Sequence, residues 1–304
     1  MASKRRYRRR IDGVLLLDKP CGISSNAALQ RARRLLEAER AGHTGTLDPM
    51  ASGLLVLCFG DATKFSGELL DAAKRYVARI KLGERTSTGD AEGAVVERRP
   101  VSVTREQLER SLDGFRGEIT QVPPMYSALK RDGRPLYEYA RKGIEVERAP
   151  RRVTVGELKL EDYAGDEVTL SVFCSKGTYV RTLAEDIGEV LGCGAHLTGL
   201  VRTAVGEFRL DQAQRLEDLD ARAVDLRSGL LLPVDVLVQD LPPVQLPGQL
   251  ETAFLQGQRI ACADGGTVGS AGRVRVYGSG GKFLGVALSD GAGGLHPKRL
   301  LLAA

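Results

Sequence analysis

Residues 42–57 read GHTGTLDPMASGLLVL, and this stretch decides how the chain is organised. Its three glycines permit backbone angles that other residues avoid, and Pro49 biases Asp48 away from the helical region. The apolar run at 54–59 is short, continuous and rich in branched residues, which is typical of a strand buried on both faces. We therefore expect Asp48 to lie on a stiff loop at the edge of a sheet, where a scaffold can present a catalytic group.

The same stretch has a long and gapless match to a known motif. An Asp-Pro pair alone is a common way to begin a turn, which leaves a purely structural role for Asp48 open. The whole stretch, however, resembles the GHTGxLDPxAxGxL motif of the bacterial TruB-type tRNA pseudouridine synthases, in which the Asp is catalytic. The resemblance covers about residues 11–240 and, more loosely, 250–304. It implies that Asp48 is the catalytic residue.

The composition is ordinary for a globular protein with a proper core. Of the 304 residues, 42% are apolar, and no apolar run approaches the roughly 18 residues that a membrane span needs. The charged N-terminus lacks the apolar region of a secretory signal. The five cysteines form no CxxC pair and the three histidines are far apart, which favours free thiols and disfavours a zinc site. We expect a cytoplasmic protein without metal or membrane contact.

Basic charge is concentrated in two segments of the chain. The net charge is +5, yet residues 1–10 hold six basic and no acidic side chains. Residues 130–152 hold eight basic and four acidic side chains. A basic tail alone is often a solvated, disordered arm, but two separate basic segments favour a polyanionic partner, namely nucleic acid.

The remaining pattern predicts a mixture of strands and helices. Residues 120–152 interrupt it, because Pro123-Pro124 stops any regular element and a short basic helix at about 135–142 follows. Prolines near 242–247 mark a boundary, and a glycine-rich turn at 278–281 predicts a hairpin beyond it. The predicted strands are 11–17, 54–59, 76–82, 152–162, 166–174, 196–205, 272–277 and 283–288, and the predicted helices are 26–39, 61–70, 104–112 and 178–191.

The resemblance implies an α+β fold with a mixed, mostly antiparallel sheet and flanking helices. Residues 120–152 resemble the thumb-like insertion that closes over RNA in this family. The glycine-rich C-terminal segment resembles, more weakly, a small PUA-like β-barrel. We therefore predict a basic flexible arm at 1–10, a catalytic domain at 11–245 and a PUA-like RNA-binding domain at 250–304.

The implied reaction breaks and rejoins a glycosidic bond without net redox change or consumption of water, so we expect no cofactor. A carboxylate can serve as nucleophile or base, and a neighbouring cation would favour its charged form. The run KGTYVRTL at 176–183 resembles the family motif KGTYxRxL, whose Arg pairs with the catalytic Asp; Arg181 stands in that place. From the residues alone, an ion pair between Arg181 and Glu185, four positions on, is the alternative.

The resemblance also assigns residues that would bind an extruded base. Tyr76 and Tyr179 match the pocket tyrosines, and Leu200 matches the apolar lid; without the motif, each would be interpreted as a core residue. His43 could be a general base by its ordinary pKa, but its family counterpart inserts into the RNA stack, and we interpret it as substrate-binding.

Two lysines and one loop complete the predicted site. Lys19 and Lys64 lie in motifs that the family keeps near its active site, where either could contact phosphate or brace a loop. Ser87 departs from the family pattern TDTxDxxG at 86–93, in which Gly89 takes the unspecified fourth position, and this leaves details of that loop open.

We therefore predict that this protein isomerises the T-loop uridine of tRNA, position 55, to pseudouridine by base flipping, acting as a monomer on the T stem-loop. A non-catalytic tRNA chaperone would also use the basic segments, but it would not need Asp48, Tyr76 and Arg181 together. A guide-RNA-dependent, dyskerin-like synthase and an RNA glycosylase that releases uracil are further alternatives.

Overall fold

The structure, a computed structural model, describes residues 9–261 and 271–301. The predicted basic arm at 1–10 therefore lies outside the described residues except for Arg9 and Arg10. Within the described ranges, no helix has both the length and the apolar character that crossing a membrane would require.

The described residues form nineteen strands and seven α-helices. The strands are β1 (Gly13–Lys19), β2 (Ala41–His43), β3 (Ala51–Phe59), β4 (Lys74–Leu82), β5 (Glu84–Thr86), β6 (Val95–Arg98), β7 (Gly117–Gln121), β8 (Lys130–Arg131), β9 (Arg134–Pro135), β10 (Arg151–Ala164), β11 (Glu167–Cys174), β12 (Ala195–Val205), β13 (Phe208–Arg209), β14 (Gln214–Arg215), β15 (Pro243–Gln245), β16 (Ile260–Ala261), β17 (Ala271–Tyr277), β18 (Phe283–Asp290) and β19 (Gly294–Leu300). The α-helices are α1 (Ser25–Leu35), α2 (Arg105–Asp113), α3 (Leu136–Ala140), α4 (Val180–Val190), α5 (Leu216–Ala221), α6 (Val224–Arg227) and α7 (Gly248–Leu255).

One large mixed sheet organises the fold. Its strand order is β14-β1-β3-β12-β4-β11-β10-β7, with β2 paired to β3 and β13 paired to β12. Only the β1–β14 and β3–β12 pairs of this sheet are parallel. The predicted α+β class with a mostly antiparallel sheet is confirmed.

The apolar run after Asp48 forms the buried strand that its composition predicts. β3 lies between β1 and β12, and every residue of 53–59 is buried. Gly53 has φ +97°, and a Cβ there would clash with the carbonyl oxygen of Arg202 on β12. The glycine therefore permits the close approach of two parallel strands directly below the Asp48 loop.

Two predicted helices differ from the structure. Residues 61–70 form two 3₁₀ turns, Gly60–Lys64 and Ser66–Leu69, instead of one α-helix. They are separated at Phe65, a fully buried residue whose ring packs 5.6 Å from that of Phe283. This tertiary contact, together with the poor helix propensity of Gly67, outweighs local helix preference.

The first predicted helix, 26–39, ends earlier than expected. α1 stops at Leu35 because Glu37 adopts φ +53°, and the amide of Ala38 then donates to the carbonyl of Arg33. This is a Schellman ending with Glu at the position where Gly is usual, which explains why no sequence signal marked it.

The insertion after β7 is only partly a protrusion. Its hairpin β8–β9 is largely exposed, whereas helix α3 is mostly half-buried and contains no basic residue, since the basic residues flank it. Its inner end turns back to the sheet, where Ser127 is buried. One side of the insertion therefore contributes to the site described below.

The C-terminal segment forms a second, smaller sheet. Its order is β15-β17-β18-β19-β16, a curled five-stranded half-barrel that includes the predicted hairpin. Strand β15 already belongs to this sheet, although the predicted boundary lies at 245–250; the division into domains stays a prediction. The Nζ of Lys64 donates to the carbonyl of Leu300 at 2.9 Å and so joins the two sheets.

Candidate active site

The loop that carries Asp48 is held from several sides. The hydroxyl of Ser25, the first residue of α1, accepts from the amide of Leu47 at 2.7 Å and lies 2.8 Å from its carbonyl. The amide of Gly22 donates to the carbonyl of Pro49 at 2.8 Å. Backbone hydrogen bonds on both sides of an acid restrict its movement, which agrees with the stiff loop that the sequence predicts.

Asp48 faces the first turn of α4. The Nη2 of Arg181 lies 3.0 Å from an oxygen of Asp48, and the Arg181 side chain is 5% exposed against 37% for Asp48. The side-chain amide of Gln121 bonds both the amide and the carbonyl of Tyr179, the residue that caps α4. The start of the helix is thereby fixed, and with it the direction of Arg181. The structure contains this pair and not the alternative pair with Glu185.

A second carboxylate, which the sequence analysis did not select, completes the surroundings of Arg181. Asp90 is buried, and its oxygen lies 3.6 Å from the Nε of Arg181. The hydroxyl of Thr88 donates to Asp90 at 2.5 Å, and the carbonyl of Thr88 accepts from Nη1 of Arg181 at 3.2 Å. The carbonyl of Tyr126, from the insertion, accepts from Nη2 at 2.6 Å. The only signal for Asp90 was its place in the loop at 86–93.

The charge state of Asp48 depends on opposing effects. Burial raises the pKa of the Asp48 carboxyl above its ordinary value, and the negative charge of Asp90 adds to the rise. Arg181, by charge and hydrogen bond, and Lys19 oppose it. The arginine favours the ionised form of Asp48, as predicted, but burial has the larger effect on this pKa.

Five of the predicted site residues line one cavity of about 270 Å³. This volume is near the lower end of the roughly 300–1,000 Å³ of small-molecule sites, which suits one base better than an extended ligand. The cavity brings together residues from the motif loop, two strands, the insertion and α4. The predicted residues that line it are Asp48, Tyr76, Tyr179, Arg181 and Leu200.

The other three predicted residues do not line this cavity. Lys19 is fully buried, and its Nζ donates to the carbonyls of Pro20 at 2.9 Å and Ile23 at 2.7 Å, the geometry of the loop-bracing alternative. Lys64 pairs with Asp61 at 3.1 Å and joins the two sheets. His43 is half-buried on β2, where burial and the charge of Arg202 lower the pKa of its imidazole.

Arg202 is a further residue that the sequence analysis did not select. It is 2% exposed, and its guanidinium donates to the carbonyls of Leu54, Thr46 and Gly45 at 2.7, 3.4 and 3.2 Å. It stands opposite Tyr76 in the β4–β12 register. Burial raises the pKa of the Tyr76 phenol, and Arg202 partly opposes that rise. The arginine therefore supports both the Asp48 loop and the pocket tyrosine.

Two buried cysteines, Cys58 and Cys174, are unreactive thiols. Burial raises the pKa of Cys58 to about 12 and that of Cys174 to about 11, so both are neutral thiols. Cys262 lies outside the described residues. Within the ranges that the structure covers, no group of His, Cys, Asp and Glu is arranged to hold a metal ion.

Comparison with known proteins identifies the family. Residues 33–180 match the N-terminal domain of the TruB family pseudouridylate synthases. The tRNA pseudouridine synthase B of Azoarcus sp. (strain BH72) is 59% identical over 294 residues, which cover 97% of this chain and 96% of that protein. The chain belongs to the TruB family. Residues 181–239 and 242–301 match two TruB C-terminal domain models as well.

Other TruB relatives and solved structures agree with this membership. The tRNA pseudouridine synthase B of Aromatoleum aromaticum is 57% identical over 302 residues, covering 99% of this chain and 96% of that protein. A chain of a Cbf5–Nop10–Gar1 complex superposes with a TM-score of 0.71 at 25% identity, covering 95% of this chain and 84% of that one. A chain of an H/ACA RNP bound to a substrate RNA, at 23% identity and a TM-score of 0.70, shares the fold; the match covers 96% and 85% of the two chains.

Proposed function

We propose that this TruB-family protein isomerises the T-loop uridine of tRNA, position 55, to pseudouridine. The observation that carries the proposal is the Asp48–Arg181 pair at the wall of a base-sized cavity. The tRNA substrate and the pseudouridine product are supported by relatives of 57–59% identity that are named tRNA pseudouridine synthase B. The position within tRNA follows from the motif resemblance.

Asp48 has the place and the chemistry for the bond exchange. The bond between C1′ and N1 breaks, the base turns, and a bond between C1′ and C5 forms, while the C5 proton leaves and N1 becomes protonated. No water or electron is consumed in this balance. Attack on sugar or base and removal of a sugar proton all require the ionised carboxylate, which Arg181 stabilises at 3.0 Å.

The target base must leave its stack to reach Asp48. Tyr76 and Tyr179 offer aromatic surfaces for the flipped uracil, and Leu200 closes the same cavity with an apolar side chain. We assign His43 to the space that the base vacates, since it is the half-buried last residue of β2 and directly precedes the motif loop. A neutral imidazole, which its lowered pKa favours, is suited to stacking between bases.

We further propose that the protein acts as a cytoplasmic monomer that recognises the folded T stem-loop. The exposed hairpin β8–β9 of the insertion carries Lys130, Arg131 and Arg134, which would meet RNA phosphates. The folded T-loop of tRNA presents a defined shape and unstacked bases, and the protein can recognise these without a guide RNA. This arrangement is the reason to prefer a stand-alone synthase to a guide-dependent one.

The test uses an unmodified tRNA transcript with tritium at uridine C5. Rejoining through C5 releases the label to water, so we expect release by the wild type without added RNA. We expect none from Asp48→Asn or from a transcript whose T-loop uridine is replaced by cytidine. Tight tRNA binding without release would support the chaperone, and free uracil would support the glycosylase; either result would reject the proposal.

A further inference from the structure

Among the described residues, four arginines have a buried Nε without a hydrogen-bond partner. In three of them, Nη1 donates a hydrogen bond instead. The acceptors are Glu97 for Arg85, the carbonyl of Pro123 for Arg148 and the Tyr277 hydroxyl for Arg275. The side chain of Arg151 has no hydrogen bond and no carboxylate within 4.0 Å in residues 9–261 and 271–301. Buried polar groups are nearly always partnered, so the buried and unpartnered Nε of Arg151 needs a physical reason.

Arg151 lies at the rim of the candidate active site. It is the first residue of β10 and pairs with Gln121, whose amide holds Tyr179 in place. Its Nη1 lies 3.8 Å from the point where a Cβ of residue 177 would stand, and both Gly177 and Tyr179 line the cavity. The charge of Arg151 also acts on the Tyr179 phenol.

The neighbouring basic residues are already paired. Lys176 lies 2.6 Å from Asp71, and Arg148 lies 3.5 Å from Glu145. Arg152, the next residue along the strand, lies 3.0 Å from Glu118. Each of these three cations has a protein carboxylate, whereas Arg151 has none among the described residues, so its guanidinium is available to an anionic ligand.

We propose that Arg151 binds a phosphodiester of the substrate RNA, adjacent to the nucleotide that enters the cavity. The inference rests on the proposed function and names one contact within it. Uracil itself is neutral, so the anion that reaches the rim with it is the backbone phosphate. The planar guanidinium, with four Nη hydrogens that make no bond in the described structure, can hold two phosphate oxygens at once.

The experiment measures tRNA affinity against salt for the wild type, Arg151→Gln and Arg152→Gln. Both variants remove one positive charge at adjacent positions, so long-range electrostatic effects are matched. We expect Arg151→Gln to weaken binding roughly tenfold at low salt and to reduce the slope of log K against log[salt] by about 0.7–0.9. Arg152→Gln should lose clearly less affinity and keep the wild-type slope, and Arg151→Lys should keep the slope. Equal behaviour of the two Gln variants would overturn the proposal.

A second measurement changes the RNA and needs no protein variant. In tRNA carrying single methylphosphonate linkages around the T-loop uridine, one neutral linkage should weaken wild-type binding as much as Arg151→Gln does. The same linkage should cost Arg151→Gln nothing further. Additive losses at every linkage would reject the contact. Tritium release by the wild type is measured in the same preparation. If release occurs but the losses are additive, the Arg151 contact is rejected while the proposed function stands.

Discussion

The Arg181 guanidinium lies 3.0 Å from the Asp48 carboxylate, and the arginine is the more deeply buried of the two. Arg181 is held on its other side by Asp90 and by the carbonyls of Thr88 and Tyr126. Asp48 therefore approaches a cation that the protein has already oriented. Because Arg181 is already held in place, the partly exposed Asp48 has a defined position at the edge of the cavity.

Removal of the Asp48 charge should abolish turnover and make the fold more stable at neutral pH. We expect Asp48→Asn to lower kcat by on the order of 10³-fold or more, since the group acts directly on the substrate. The pKa of Asp48 is raised in the folded state, so its ionised form costs stability above that pKa. The Tm advantage of Asp48→Asn should therefore be largest near pH 7 and shrink as the pH falls through the raised pKa. Thermal unfolding across pH measures it, and a constant difference at all pH values would contradict the assignment.

Asp90 should act on the reaction through Arg181. Asp90→Asn removes the second carboxylate while preserving shape, and the guanidinium can then rotate away from Asp48. We expect kcat to fall on the order of 10²-fold with little change in KM. The control is Glu92→Gln, an exposed acid two residues on, which should keep kcat within about twofold. A rise in KM alone would instead place Asp90 in substrate binding.

Arg202 should be needed for both stability and activity. Arg202→Met leaves the carbonyls of Leu54, Thr46 and Gly45 without their donor, so we expect a loss of about 3 kcal/mol in the free energy of unfolding. Urea unfolding measures this loss. The matched control is Arg79→Met on the exposed side of β4, expected within about 0.5 kcal/mol. Equal losses for both variants would remove the special role of Arg202.

The close approach of β3 and β12 gives a backbone prediction. Gly53→Ala places a Cβ against the Arg202 carbonyl oxygen at φ +97°, and we expect it to cost about 3 kcal/mol. The same change at Gly67, where an added Cβ meets no atom within 4 Å, should be neutral or slightly stabilising. Thermal unfolding of both variants checks this, and similar Tm values would show that the strands can separate without cost.

Local features of the fold were predictable because their signals are local. The strand predicted at 76–82 and the helix predicted at 178–191 are present as β4 and α4, and β4 buries every second residue. Thr104 caps α2 through a capping box with Gln107, as its side chain suggests. The prediction of an α-helix at 61–70 was wrong because it missed a tertiary contact. Phe65 is buried against Phe283, and no residue near Phe65 in the sequence signals that contact.

The buried strand after Asp48 was predictable from residue type and spacing along the chain alone. The class of the fold and the residues that meet in the cavity were predicted through the motif resemblance. Three relationships became visible only in the folded chain: Asp90 stands behind Arg181, Arg202 holds the Asp48 loop through the carbonyls of Thr46 and Gly45, 156 and 157 residues away, and the buried Nε of Arg151 has no partner. The physical reason is that strand order and register choose partners across the sheet, and periodicity along the chain carries no record of that choice.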